Sequence, residues 1–320
     1  MMASREHLNK MKKYLFIFYI VFFFGSIIQN SNSIENKIEF KINNEIVTSI
    51  DIIKELNFLA ALNPKILELD KNKIFEISKN SIIKEKIKKL EIQKFTKKLE
   101  IDESYLKQLI QNSYTKINLN SEKEFLEHLS KYNLRLKDFK KKIIIEALWN
   151  QLIFTKYKSK IIINEKKLKN EILKNKNNKT NSLNLSEIVF NVNENEILKQ
   201  KYQLIKEDIA TKGFENAALI YSNSETSNLG GKLGWIDENS ISEKIKVQVR
   251  KLDIGKFTDP IVIPGGFLII KLNELKEIDK EIDFDKELKK RIMIKTNQQL
   301  NQFSNIYYNR IKKDKKIEKL

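Results

Sequence analysis

Cysteine is absent from this 320-residue chain, which excludes disulfides, thiolate metal sites and cysteine nucleophiles without identifying a compartment. Proline and glycine are scarce, at 3 and 8 residues, so helices should dominate and turns should be few. Arginine is scarce too: Arg5, Arg135, Arg250, Arg291 and Arg310 are the only five among 60 basic residues. Arginine supplies the forked contacts to phosphate and guanine, so the formal charge of +18 does not point to nucleic acid. Basic residues also alternate with acids, as in Lys84-Glu85-Lys86 and Lys123-Glu124, and read as solvated helix faces. Histidine occurs only as His7 and His128, and His128, beside Leu129 on a charged helix, reads as a surface residue rather than a ligand. Neither a metal site nor an ATP motif is visible, and no small-molecule cofactor is expected.

Hydrophobic residues make up 41% of the chain, enough for two or three modest domains with their own cores. Lys10, Lys12 and Lys13 precede an apolar run from Tyr14 to Phe24, followed by Gly25, Ser26 and the polar stretch Gln29 to Ser33. A positive start, a short apolar stretch and a small-residue exit describe a secretory signal peptide over residues 1–33. Met11 would begin a compact signal by itself. The run is shorter than the roughly 20 residues of a bilayer crossing, and an uncleaved anchor is the alternative. Export to the periplasm is the expectation.

Ile38, Phe40 and Ile42 alternate with charged residues, Asn43-Asn44 makes a turn, and Ile46-Val47 resumes an extended segment, which predicts a hairpin. Thr48 to Asp51 has capping-box form, and Leu56, Leu59 and Leu62 follow at helical spacing. Helical periodicity then continues to about residue 175: Ile83, Ile87 and Leu90 share one face, as do Leu136, Phe139 and Ile143. Ser121 and Glu124 form a second capping box before Phe125, Leu129 and Tyr132, and Asn164 opens a helix carrying Leu168 and Ile172. The order of these segments, from "KIEFKINNEIVTSIDIIKEL" through "EKEFLEHLSKYNLRLKDFKKKIIIEALWNQLI" to "IIINEKKLKNEI", resembles the N-terminal region of SurA-type chaperones of outer-membrane proteins.

Residues Asn177 to Asn184 read as a polar linker, and Leu185 to Phe190 as a strand. Leu198, Tyr202, Ile205 and Ile209 mark a helix that stops at Gly213, and Phe214, Ala217, Ala218 and Tyr221 mark a shorter one. The string "GGKLGW" lacks the Lys-Ser/Thr of a phosphate loop. Together with "KLDIGKFTDPIVIPGGFLIIKL" it resembles the parvulin (rotamase) signature, with two strands around a Pro264-Gly265-Gly266 turn.

That resemblance implies prolyl isomerisation, rotation about an X–Pro bond over a barrier of roughly 20 kcal/mol. It also implies a pocket that pairs an apolar proline seat with two histidines, a Cys or Asp, and a Ser or Thr, which stabilise the twisted amide in a partly dry site. The seat maps onto Leu233, Ile241 and Ile245, with Phe267 beside them as a further peptide contact. The two histidine positions fall on Glu187 and Leu268, the Cys/Asp position on Ser224 and the Ser/Thr position on Gly265. No histidine lies in residues 180–276. The seat is kept and the polar machinery is not. Glu187 reads as solvent-facing, and Trp235 as a packing residue.

From Phe284 one long helix is predicted, with Leu288, Ile292, Ile294, Leu300, Phe303, Ile306, Tyr307 and Ile311 on its apolar stripe, and the final "KKDKKIEKL" reads as a solvated charge run. The expected class is α+β: a mainly helical N-terminal chaperone domain (34–176) with a C-terminal helix (282–320) packing back on it, plus one parvulin-like domain (180–276) with a small antiparallel sheet and surrounding helices. The implied function is capture of unfolded outer-membrane or exported polypeptides, with an active prolyl isomerase as the alternative and nucleic acid not among the partners.

Overall fold

The structure, a computed structural model, describes residues 36–174, 179–192, 196–279 and 283–319; the signal segment expected at residues 1–33 lies outside them. Strands β1 (Ile38–Ile42) and β2 (Glu45–Thr48) form the predicted hairpin. Its turn places Asn43 at φ 51°, a left-handed conformation that asparagine tolerates. Thr48 and Asp51 cap each other reciprocally at the start of α1 (Ser49–Leu62). A 3-10 turn at Pro64–Glu68 leads into α2 (Lys71–Ile92), α3 (Glu103–Lys116), α4 (Glu122–Lys131), α5 (Leu136–Tyr157) and α6 (Glu165–Lys174). The second capping box is only half formed. Ser121 Oγ accepts from the Glu124 amide at 3.2 Å, but the Glu124 carboxylate accepts from the amide of Asn120 instead of Ser121.

Two apolar cores hold this helical body together. One surrounds Phe58, Phe125 and Phe139, with Phe125 edge-on to Phe139 at 5.0 Å. The other joins the hairpin residues Phe40, Ile42 and Val47 to Ile83 and Ile87 of α2 and Trp149 of α5. His128 is half-buried and not simply a surface residue: its Nε2 meets the Ala61 carbonyl oxygen at 2.7 Å, which ties α4 to the end of α1.

Next come β3 (Lys179–Phe190), α7 (Leu198–Lys212), α8 (Phe214–Tyr221), β4 (Lys232–Asp237), α9 (Glu243–Val249), β5 (Ile261–Ile263) and β6 (Gly266–Asp279). The four strands form an antiparallel sheet in the order β4-β3-β6-β5. The stretch from Lys179 to Asn184 is strand, not linker. Its backbone pairs with Glu274–Asp279, and its polar side chains have partners of their own: Thr180 donates to Asp237 at 3.2 Å and Asn181 to Glu238 at 3.0 Å. Polarity therefore misled the reading, because this strand extension pairs Thr180 and Asn181 with other polar side chains and buries Leu183.

Helix α10 (Phe284–Lys313) packs back on the body, as its apolar stripe requires. Trp149 donates to Ser304 Oγ at 2.8 Å and stacks on Tyr307 at 5.7 Å, while Tyr157 stacks on Phe303 at 4.8 Å. The terminal charge run does not end in solvent. Strand β7 (Ile317–Lys319) pairs with β1 and completes a three-stranded sheet in the order β2-β1-β7. The fold class is the expected one: α+β, mainly helical, with a small antiparallel sheet flanked by helices. Among the described residues, no helix is long and apolar enough to cross a membrane.

Candidate peptide-binding site

Strand β3 alternates its side chains between the two faces of the sheet. Leu183, Leu185 and Val189 face a core shared with Leu268, Ile270 and Val249, so Glu187, between Leu185 and Val189, shares that face. Ile188 and Phe190 face the opposite core with Ile205, Phe214 and Ile269. Leu233, Ile241 and Ile245 are half-buried on the rim of the first core. The structure therefore brings the three residues of the apolar seat together with Leu268 on the face that carries Glu187.

Phe267 is not with them. It precedes Leu268 on β6 and so points to the other face, where it lies against Phe190 with ring centroids 5.6 Å apart. Gly265 also stands apart. It sits in the β5–β6 turn at φ 87°, and a side chain there would meet Ile306 of α10 at 3.6 Å. Leu268 is core, with 5% of its surface exposed.

Glu187 does not face open solvent. Its Oε1 accepts from Ser224 Oγ at 2.6 Å and from Thr226 Oγ1 at 3.0 Å, and the two hydroxyls lie 3.1 Å apart. Burial pushes the Glu187 carboxyl up from its ordinary range, against the opposing pull of these donors. The hydroxyls reach it because the segment from Ser222 to Gly231 lies against β3. Asn223 donates its amide to the Val189 carbonyl at 2.6 Å, and the Glu187 amide donates to the Gly231 carbonyl at 2.8 Å. Gly231 is at φ 77°, and a Cβ there would lie 2.2 Å from the Glu187 carbonyl oxygen, so only glycine allows this approach.

Trp235 is not a packing residue. It is 43% exposed on β4, with the Lys276 ammonium 3.8 Å from its ring centroid.

The opposite side of the Ser222–Gly231 segment meets the helical body, a docking that no sequence motif signalled. Leu219 of α8 enters the core of Phe58 and Phe139. Lys65 pairs with Glu215 at 3.2 Å, and Lys84 donates to the Asn223 carbonyl at 3.3 Å. A crevice of about 430 Å³ opens between α1, α2, α5, this segment and α10. Phe58, Ile77, Phe139, Ile143, Leu219 and Tyr308 supply its apolar wall.

Its polar lining departs from the solvated-face reading around Lys84-Glu85-Lys86, whereas Lys123 and Glu124 are exposed. Lys142 of α5 bonds both Glu55 and Glu85, and Lys88 of α2 bonds Glu146. Lys88 is 2% exposed and Glu55 3% exposed. Alternating charge is compatible with a solvated face and with a buried network alike, and only the packing of α1, α2 and α5 decides between them. Among the described residues, no His, Cys, Asp or Glu cluster could hold a metal ion.

Residues 183–274 match the family of the PPIC-type PPIase domain, called Rotamase. The chain is 30% identical over 99 residues to "Chaperone SurA" of Methylococcus capsulatus, an overlap of 31% of this chain and 22% of that one. It is 35% identical over 85 residues to "Chaperone SurA" of Hydrogenovibrio crunogenus, covering 26% and 19%. The chain thus spans about a fifth of the length of these curated relatives. Among solved structures it is similar, at 17% identity and TM-score 0.28 over 87% of this chain and 96% of that one, to a chain from the study of PEB4 and Cj1289, "two structurally-related SurA-like chaperones" of Campylobacter jejuni. Glu187 and its apolar rim therefore lie within the residues that match the PPIC-type PPIase domain, in a chain similar over that stretch to proteins named chaperone SurA.

Proposed function

We propose that this protein is a periplasmic holdase for unfolded outer-membrane or exported polypeptides, with a parvulin domain that binds extended apolar peptide but does not isomerise X–Pro bonds efficiently. In this reading residues 1–33 direct export, 34–176 with 282–320 form the chaperone body, and 180–276 form the parvulin domain.

The observation that carries the reading is the pairing of an apolar rim with an altered polar cluster. Leu233, Ile241 and Ile245 are half-buried beside Leu268. The residues at the two family histidine positions are a core leucine and a carboxyl already engaged by Ser224 and Thr226. A twisted amide needs fixed dipoles aimed at the atoms whose charge changes. Here the hydroxyl donors point at Glu187 instead. Many weak apolar contacts suit promiscuous capture rather than tight recognition.

The second reading is an active prolyl isomerase. It draws support from the same cluster, because a polar carboxyl–hydroxyl group does sit on the face of the apolar rim, and desolvation can contribute to catalysis without histidine. Aggregation of an unfolded β-barrel protein tests the first reading. At stoichiometric amounts the chain should suppress light scattering, and Leu233→Ala with Ile245→Ala should weaken that suppression. Scattering unaffected by the intact chain refutes the holdase reading.

A further inference from the structure

The crevice between the body and the parvulin domain has more cations than it can pair internally. Lys142 is engaged by Glu55 and Glu85, and Lys88 by Glu146, with Glu225 at 3.9 Å. Lys84, Lys116 and Lys312 line the same space, and among the described residues none has a carboxylate within 4.0 Å. The direct polar contact of Lys84 is the neutral Asn223 carbonyl at 3.3 Å. Tyr308 adds a hydroxyl with no hydrogen-bond partner among the described residues.

These donors adjoin an apolar wall that includes Phe58, Phe139 and Leu219. A lining that combines ammonium and hydroxyl donors with apolar side chains fits a carboxylate next to an apolar side chain. The volume, about 430 Å³, has room for only a few residues. That suits the end of a chain better than a segment passing through.

We propose that this crevice takes the C-terminal end of a client polypeptide, with Lys84 as the direct partner of its terminal carboxylate and the apolar wall as the seat of its last side chain. The inference rests on the chaperone reading and specifies one of its binding surfaces. It also gives the docked arrangement a consequence: Lys84 belongs to the body and Asn223 to the parvulin domain, so a carboxylate that recruits Lys84 competes with a contact holding the two together.

Burial, then the neighbouring Lys88, draws the Lys84 ammonium down to about 8, with Glu146 and Glu225 opposing and Lys312 reinforcing the shift. A carboxylate bound to Lys84 favours its charged form, so the affinity should be full below pH 7 and weaken as the pH rises through 8.

The test is fluorescence anisotropy of the full chain with three labelled peptides of one sequence ending in leucine: the free acid, the C-terminal amide, and the amide with an internal aspartate. At pH 7 the free acid should bind about tenfold tighter than the amide, or more, the factor expected for one charge-assisted hydrogen bond. The internal aspartate should not restore the difference. Lys84→Met should bring free acid and amide to equal affinity. In the unsubstituted chain the free-acid advantage should shrink between pH 7 and pH 9, which needs no variant to fold. Equal binding of acid and amide, full rescue by the internal aspartate, discrimination retained by Lys84→Met, or an advantage constant to pH 9 would each overturn the proposal. Aggregation suppression measured on the same sample separates the two ideas. Suppression with no acid preference removes only the carboxylate site, whereas loss of suppression removes the chaperone reading beneath it.

Discussion

Tyr307 is the place to test whether the C-terminal helix is part of the body's core. It is 3% exposed on α10, stacks on Trp149 and donates its hydroxyl to Glu91, whose side chain is 4% exposed. Tyr307→Ala removes an aromatic ring from a packed site, a change that costs about 3–5 kcal/mol. Tyr307→Phe keeps the ring and removes only a hydrogen bond to a charged group, at about 1.5–3 kcal/mol. Urea unfolding should be followed by tryptophan fluorescence in a Trp235→Phe background, so that Trp149 alone reports on the body. With a slope of about 2–3 kcal/mol per molar urea, the alanine variant should lower the midpoint by about 1–2 M and the phenylalanine variant by roughly half as much. A midpoint unmoved by Tyr307→Ala would refute the packing of α10 against α5.

Removal of residues 283–320 should cost the body more than Tyr307→Ala does, because Ile311 and the β7 pairing go as well; calorimetry should then separate a weakened body from a folded parvulin domain, and two unchanged transitions would contradict this. Lys142→Met leaves Glu55 buried without its cation and should destabilise the chain by about 3–5 kcal/mol, a loss that adding Glu55→Gln should partly reverse in a double-mutant cycle. Glu187 has a raised pKa, so its charge works against folding once the pH exceeds the unfolded-state value, and stability is lost as the pH rises towards the folded-state value. Glu187→Gln should therefore raise thermal stability more at pH 7 than at pH 4, and an equal effect at both would contradict the burial assigned to it. Gly231→Ala puts a methyl into the Glu187 carbonyl and should cost about 2 kcal/mol or more, read from Trp235 fluorescence; a neutral effect would count against the close approach.

The local grammar of the chain was largely legible. Apolar alternation in β1, the Thr48–Asp51 box and the 3.6-residue spacing of Ile83 and Ile87 all act within a few residues, and each appears where the pattern put it. The parvulin signature located the sheet and its glycine turn, and the alternation of β3 is enough to place Glu187 with the apolar rim. Phe267 went astray for a simple reason: adjacent residues on a strand point to opposite faces, so Phe267 and Leu268 could not both line one pocket. Two of the long-range contacts left no trace. The β7 pairing is carried mainly by backbone hydrogen bonds, which make little demand on side chains. The crevice charges alternate as they would on a solvated helix, and only the packing of α1, α2 and α5 brings Lys88 and Lys142 against Glu146, Glu55 and Glu85.

The most direct test of the central claim is the rate at which a proline-containing peptide converts from cis to trans with the purified chain present. A protease-coupled assay follows conversion that takes tens of seconds or longer unaided. The account predicts a rate close to the unaided one at stoichiometric protein, with the peptide bound, because no histidine stands at the site and the remaining hydroxyls are committed to Glu187. Strong acceleration that disappears on Leu233→Ala would contradict it.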